Sequence, residues 1–351
     1  MSTTVDDPAQ GVGRDTSLAI GRDGLPIIAH TDDGVNGLRV THCDDIACSS
    51  AISTTVDSAS LKIRGITPSI TIGPDGLAIV SHAEIDEDTF DLVLRVTHCD
   101  NIACTSATST SVDSWGWDSS ITIGSDGLPI ISHVHSAISA LRVTHCDNIA
   151  CTSATGTDVD ATGSGYSSIA IGSDGLAIVS HRDMNTGGLR VTHCSNIACT
   201  AATGTTVDDT ANEIGYYTSI AIGVDGLAVV SHRDFDAGAL RVSHCSNVTC
   251  TSATNTAVDD PAYGVGDETS ISIGADGRPI ISHRAANGLR VTHCDDVACT
   301  SATSTVVDTG GDFTSIAIGS GGLPVISHRH GDALRVTHCS NRFCLPYHRA
   351  R

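Results

Sequence analysis

A repeat occurs seven times along this chain and limits the folds that it can adopt. A Ser-His or Ala-His pair marks every copy, and successive pairs lie about 50 residues apart. The histidines of these pairs are His30, His82, His133, His181, His232, His283 and His328. A second motif, Leu-Arg-Val-(Thr/Ser)-His-Cys, follows the pair in every copy. A unit of this length that recurs seven times predicts one supersecondary element packed against copies of itself.

Each copy reads as four short β-strands, and none shows helical periodicity. In the fourth copy the expected strands are residues 168–171, 177–181, 189–194 and 199–208, which we call strands A to D. Runs of β-branched residues separated by Asp-Gly turns are typical of hairpins. Four strands per copy in seven copies predict an all-β fold, a seven-bladed β-propeller of four-stranded antiparallel blades.

The whole chain, residues 1–351, is predicted to form one propeller domain, with copies that begin near residues 16, 69, 120, 168, 219, 270 and 315. The seventh copy stops before its strand D, whereas residues 2–6 match the end of strand D in the first copy, residues 53–57. The N-terminal strand should therefore complete the last blade and remove the free edge of the ring. A start within the closing strand also favours a domain trimmed from a longer protein.

All 14 cysteines belong to the repeat. They form seven Cys-x4-Cys motifs: Cys43 and Cys48, Cys99 and Cys104, Cys146 and Cys151, Cys194 and Cys199, Cys245 and Cys250, Cys294 and Cys299, and Cys339 and Cys344. Opposed residues of a hairpin lie within the span of a disulfide, so we predict seven local disulfides and an oxidising compartment. Free thiols and zinc ligation are the alternatives. Zinc is disfavoured because the adjacent His and Cys of one strand point to opposite faces.

Charge and hydropathy exclude several classes of partner. The chain has 19 basic and 40 acidic residues, a net charge of −21, and Lys62 is its one lysine. No basic patch is available for nucleic acid, and no apolar run is long enough to enter a membrane. No signal peptide is visible at the N-terminus. No cofactor is expected, except that the acidic segment 84–91 is a candidate Ca²⁺ site, with a solvated acidic loop as the alternative.

The repeat resembles a class of highly repetitive bacterial propeller sequences. The motifs that carry the resemblance read IGxDGLPxIS, LxVxHC, CxSA and TVD, and they cover nearly the whole chain. This chain departs from the class where strand B ends in His instead of the more usual Tyr. The resemblance implies the propeller fold, but the class has no single established function.

Differences between the copies gather in the D–A and B–C loops, which lie on one face of a propeller. We call it the variable face, and it is the candidate ligand-binding surface. Its candidate residues are Trp115, Trp117, Tyr166, Tyr216, Tyr217, Tyr263, Phe313 and the seven strand-B histidines. Alternatively, the aromatic rings pack over the blade ends. The histidines then form a structural contact within each blade, with the strand-D aspartates Asp6, Asp57, Asp113, Asp160, Asp208, Asp259 and Asp308.

No catalytic motif appears, so the leading hypothesis is a non-catalytic extracellular or cell-surface propeller. It would recognise a glycan, a protein or copies of itself through the variable face. One alternative is a self-assembling filament or surface-layer protein. Another is a metal-dependent lyase or hydrolase with its site at the mouth of the central channel, for which His135, Asp118, Asp312 and His330 are the candidates.

Overall fold

The seven copies of the repeat form seven separate four-stranded antiparallel sheets. The computed structural model describes residues 2–8, 11–60, 62–209, 213–259 and 264–345. Every element in these ranges is a strand. The predicted all-β, seven-bladed propeller is therefore confirmed. None of the described residues forms a helix that is long and apolar enough to cross a membrane.

The strands are numbered in chain order and run from the channel outward as A, B, C and D in every blade. Blade 1 consists of β2 Val12–Ile20, β3 Pro26–Asp32, β4 Gly37–Cys43 and β5 Ala51–Asp57, and blade 2 of β6 Lys62–Ile72, β7 Ala78–Asp86, β8 Leu92–Cys99 and β9 Ala107–Ser114. Blade 3 consists of β10 Gly116–Ile123, β11 Pro129–His135, β12 Ala140–Cys146 and β13 Ala154–Asp160, and blade 4 of β14 Ser164–Ile171, β15 Ala177–Asp183, β16 Leu189–Cys194 and β17 Ala202–Asp208. Blade 5 consists of β18 Tyr216–Ile222, β19 Ala228–Asp234, β20 Ala239–Cys245 and β21 Ala253–Ala257, and blade 6 of β22 Asp267–Ile273, β23 Pro279–Ala285, β24 Gly288–Cys294 and β25 Ala302–Asp308. Blade 7 consists of β26 Asp312–Ile318, β27 Pro324–His330, β28 Ala333–His338 and, as its strand D, β1 Ser2–Asp6.

The N-terminal strand closes the ring as predicted. β1 pairs antiparallel with β28, so that Thr3 lies opposite Val336. The hydroxyl groups of Ser2 and Thr337 add a hydrogen bond of 2.7 Å. The first strand and the last blade thus share one sheet, which leaves no seam of the ring open.

The hydrophobic core is divided among the seven seams between neighbouring blades. At the seam between blades 1 and 2, Leu38 and Val40 of one blade pack against Ile70 and Val80 of the next. Equivalent clusters fill the other six seams. Because strand residues alternate between two faces, each blade buries small branched side chains on both sides.

All seven predicted disulfides are present, and no cysteine is free. The Cα atoms of each pair lie 4.9–5.0 Å apart. The second cysteine of each pair has a left-handed backbone, with φ of 49–54°. For this reason strand D of blade 4 begins at Ala202 and not at Cys199, where the sequence predicted it. The disulfides are buried and belong to the seam clusters.

The strand-B histidines contact aspartates of the preceding blade, so the contact predicted within each blade is wrong. His82 Nε2 lies 3.5 Å from Asp57 of blade 1 and 3.0 Å from the Thr97 hydroxyl of its own blade. Arg95 Nε donates to the same aspartate at 2.8 Å. This Asp–His–Arg clamp recurs at every seam, with histidine–aspartate distances of 3.3–3.7 Å. All seven strand-B histidines are fully buried inside the seams, so none exposes its side chain on the variable face.

Candidate functional site

Each innermost strand contains a β-bulge near its start. The residue at the bulge, which we call the bulge residue, has a left-handed φ of 44–56° in every blade. The seven bulge residues are Asp15, Thr67, Asp118, Tyr166, Tyr217, Glu268 and Phe313. In blade 4 the bulge interrupts the register between Gly165 and Ser168. The sequence predicted that strand A starts at Ser168, but the strand begins at Ser164 and includes the bulge.

Hydrogen bonds around the channel hold the bulge residues in this costly conformation. The Thr218 hydroxyl donates to the carbonyl oxygen of Tyr166 in the preceding blade at 2.7 Å. A Ser or Thr of five other blades makes the same bond to the bulge carbonyl before it. Blade 2 has Pro68 at this position and no hydroxyl. Two residues after each bulge, a serine such as Ser168 accepts a backbone N–H from the next blade, here that of Ile220 at 3.2 Å.

The bulge residues surround a cavity of about 460 Å³ at the mouth of the central channel. The cavity opens on the variable face, because the bulges lie where the D–A loops enter the innermost strands. Trp117 and the residues that follow the bulges complete its lining. The lining contains four aromatic rings and three carboxyl groups, and none of its described residues is Lys, Arg or His. The local charge is therefore negative, in keeping with the net charge of the chain.

The three carboxyl groups come from blades 1, 3 and 6. Asp15 and Asp118 each accept a backbone N–H from the next blade's bulge residue at 3.4 Å, and Glu268 accepts that of Phe313. Burial raises the pKa of Asp118 to about 6, with a smaller contribution from the charge of Asp15. Burial also raises the pKa of Glu268 to about 7 and raises that of Asp15. At neutral pH Glu268 is thus balanced between its charged and neutral forms, whereas Asp118 is mostly ionised.

The aromatic part of the cavity lies between blades 3 and 5 and at blade 7. The rings of Tyr166 and Tyr217 lie 4.8 Å apart, centre to centre, and are tilted by 55°. Burial raises the pKa of both phenols, so both stay protonated. Tyr216 does not line the cavity, although its ring lies 5.5 Å from that of Tyr166. Its hydroxyl donates to Glu213, and Arg182 stacks 4.1 Å from its ring centre.

The structure thus brings together four of the predicted aromatic residues: Trp117, Tyr166, Tyr217 and Phe313. Trp115 stands apart in the turn before β10 with 38% of its surface exposed. Tyr263 lies outside the described residues.

Of the four polar residues considered for a channel-mouth enzyme, only Asp118 lines the cavity. The other three take part in polar contacts elsewhere: His135 with Asp158 at 3.0 Å, Asp312 with Arg284 at 2.7 Å, and His330 with Arg335 at 2.9 Å.

Three residues of the cavity were not among the candidates predicted from the sequence: Asp15, Thr67 and Glu268. A signal for them was present, because the bulge residue always precedes the strand-A serine by two positions. When the copies are aligned on that serine, this position holds an acid, Thr, Tyr or Phe, whereas the strand that follows stays nearly constant. Variation at one position of an otherwise repeated strand marks the residues that point to the channel.

The acidic segment considered for calcium makes contacts within the protein. Glu84 is buried and accepts hydrogen bonds from Lys62 and from Arg64. Asp86 accepts the backbone N–H groups of Asp88 and Thr89. Among the residues that the structure describes, no three His, Cys, Asp or Glu side chains converge as a metal-ligand set.

Comparison with known proteins relates the chain to others by fold. The sequence matches no protein-family model and no curated protein sequence. Among solved structures, hydrazine synthase of Kuenenia stuttgartiensis matches with a TM-score of 0.66 at 12% identity, over 96% of this chain and 98% of that chain. An ulvan lyase, a polysaccharide lyase, matches with a TM-score of 0.61 at 9% identity, over 93% and 94%.

An α-L-arabinofuranosidase of Fusarium graminearum matches with a TM-score of 0.59 at 9% identity, over 96% of this chain and 97% of that chain. At such low identities these likenesses concern the fold alone.

Proposed function

We propose that the protein is an extracellular or cell-surface propeller that binds a carbohydrate in the channel-mouth cavity. The observation that carries the proposal is the combination of aromatic rings and carboxyl groups on rigid bulges around one cavity. Sugars present apolar C–H faces that pack on rings such as Tyr166 and Tyr217, and hydroxyl groups that donate to carboxylates. Because the bulges are held by hydrogen bonds around the channel, the site is organised before a ligand arrives.

Two further observations support this proposal. Two of the solved structures with a similar fold, the ulvan lyase and the arabinofuranosidase, are carbohydrate-active proteins. The seven disulfides are typical of proteins that work in an oxidising compartment, such as the cell surface.

The test is a glycan-array screen followed by calorimetric titration of each hit. The variant Tyr217→Ala removes one ring of the cavity and should weaken binding at least tenfold. The matched control Phe235→Ala removes an exposed ring of the variable face that does not line the cavity, and it should leave binding unchanged. Binding that is lost with Phe235→Ala but kept with Tyr217→Ala would place recognition on the loops and refute the proposal.

Cleavage of a glycosidic bond is the second candidate, and the shifted carboxyl groups favour it. Glycosidases pair a carboxylic acid of raised pKa with a carboxylate of lower pKa. Glu268, with a pKa of about 7, would act as the general acid, and Asp15 or Asp118 as the partner carboxylate. Turnover of bound oligosaccharides, followed by mass spectrometry, tests this activity. Glu268→Gln should abolish turnover but retain binding, and turnover that persists in this variant would exclude Glu268 as the acid.

A further inference from the structure

The channel-mouth cavity is acidic, and this charge indicates which class of carbohydrate it would bind. Its lining has three carboxyl groups and four aromatic rings, and no basic side chain among the residues that the structure describes. The arginines near the mouth form ion pairs with carboxylates outside the cavity: Arg14 with Asp33, Arg233 with Asp267 and Arg284 with Asp312. Among the described residues, no basic side chain therefore lies within the cavity, and Arg14 and Arg284 act on Asp15 and Glu268 from outside it.

The aromatic rings are a second feature of the cavity that favours a positively charged ligand. Tyr166 and Tyr217 meet at 4.8 Å with a tilt of 55°, which presents two ring surfaces of different orientation to the cavity. Phe313 and Trp117 add rings from blades 7 and 3. Aromatic walls next to carboxylates are the surroundings in which proteins bind ammonium groups, because the ring faces carry negative electrostatic potential.

One polar group of the cavity lacks a partner inside the protein. The buried Thr67 hydroxyl, on the bulge between Asp15 and Asp118, makes no hydrogen bond among the described residues. Buried hydroxyl groups are nearly always hydrogen-bonded in native proteins. This oxygen is shielded from the cavity, so the acids and the rings are the groups that a ligand would contact.

We infer that the cavity is selective for an amino sugar, whose protonated amine lies between the carboxyl groups while its ring packs on the tyrosines. This inference rests on the proposed carbohydrate function and names the class of sugar. An ammonium group also offsets the repulsion that the charge of Asp15 exerts on Asp118 and Glu268. An N-acetylated sugar has the same ring without the charge and lacks this gain.

The experiment compares two probes with the same sugar backbone: a β-1,4-linked glucosamine tetramer, whose amines can be protonated, and its fully N-acetylated counterpart, which carries uncharged acetamido groups. Both are titrated by calorimetry at neutral pH. The glucosamine tetramer should bind at least tenfold more tightly, and the difference should shrink when the salt concentration is raised. Asp118→Asn and Glu268→Gln should each reduce the preference several-fold. The control Asp332→Asn removes a charge that is 80% exposed on the same face and should leave the preference intact.

The outcomes separate this inference from the proposed function. Equal binding of both tetramers, or tighter binding of the acetylated one, overturns the amino-sugar inference and leaves carbohydrate binding standing. The same holds if neither tetramer binds while another glycan binds in a manner that Tyr217→Ala abolishes. Binding of a simple diamine such as cadaverine, without binding of any carbohydrate, overturns the proposed function but retains the cation preference of the cavity.

Discussion

Acidification should unfold this protein through the buried histidines of its seams. Burial lowers the pKa of His30, His82, His232 and His328 from the ordinary 6.5 to about 4. The native state therefore keeps these rings neutral at a pH where the unfolded chain already binds protons. Since the unfolded state binds more protons, the free energy of unfolding falls as the pH is lowered from 6.5 towards 4.

The magnitude follows from the size of the shifts. At pH 5, which is about 1.5 units below the ordinary histidine pKa, each of these histidines is protonated in the unfolded chain and mostly neutral in the native protein. At about 1.4 kcal/mol per unit, this difference stabilises the unfolded state by about 2 kcal/mol per histidine. Four histidines give a loss of roughly 8 kcal/mol. The cavity carboxyls of Asp118 and Glu268 act in the opposite direction, because their raised pKa values make the native state bind protons first. Between pH 7 and pH 5, protonation of Asp118 stabilises the native state by about 1 kcal/mol and protonation of Glu268 by about 2 kcal/mol. The net loss in the free energy of unfolding is therefore about 4–5 kcal/mol.

Urea unfolding followed by far-ultraviolet circular dichroism at pH 7 and pH 5 measures this loss. His82→Gln removes one of the four titrating rings and should reduce the loss between the two pH values by about 2 kcal/mol. The matched control His135→Gln changes a histidine outside the seams and should keep the full loss. Equal stability at the two pH values, or an unchanged loss in His82→Gln, would show that the buried histidines of the seams do not cause the acid destabilisation.

Three further predictions concern other parts of the molecule. Replacing Cys146 and Cys151 together by serine should lower the free energy of unfolding by about 2 kcal/mol, because the local disulfide no longer restricts the unfolded chain, and urea unfolding measures the change. Glu268→Gln should raise the free energy of unfolding by about 1–3 kcal/mol at pH 8 and by less at pH 5, because the buried carboxyl group destabilises the native state only when it is ionised. An equal effect at both pH values in urea unfolding would contradict the raised pKa. At the seam between blades 1 and 2, Ala29 and Pro68 replace the hydroxyl pair seen at the other six seams. Ala29→Ser alone should cost about 1–3 kcal/mol as an unpaired buried hydroxyl, and adding Pro68→Thr should recover that cost in thermal unfolding.

The position of the candidate site could not be predicted from the repeat alone. The sequence pointed to Tyr166, Tyr217 and Asp118 through their residue types, yet it counted the tyrosines as loop residues. Whether they face the channel depends on a left-handed bulge that is held by hydroxyl groups of the neighbouring blades. A local pattern does not contain that information, because the bulge would be strained in an isolated hairpin.

The residue pattern within a single copy was enough to predict the architecture of a blade. Alternating branched residues, Asp-Gly turns and cysteines five positions apart act within one copy, so the four strands, the disulfides and the closing N-terminal strand were predicted correctly. Which copies contact one another depends on how the blades pack, and no single copy contains that information. Every copy offers the same Asp and the same His, so the sequence cannot distinguish Asp57 with His30 of its own blade from Asp57 with His82 of the next. Packing of one blade on the next brings Asp57 to 3.5 Å from His82, and the same packing gathers seven different bulge residues around one cavity.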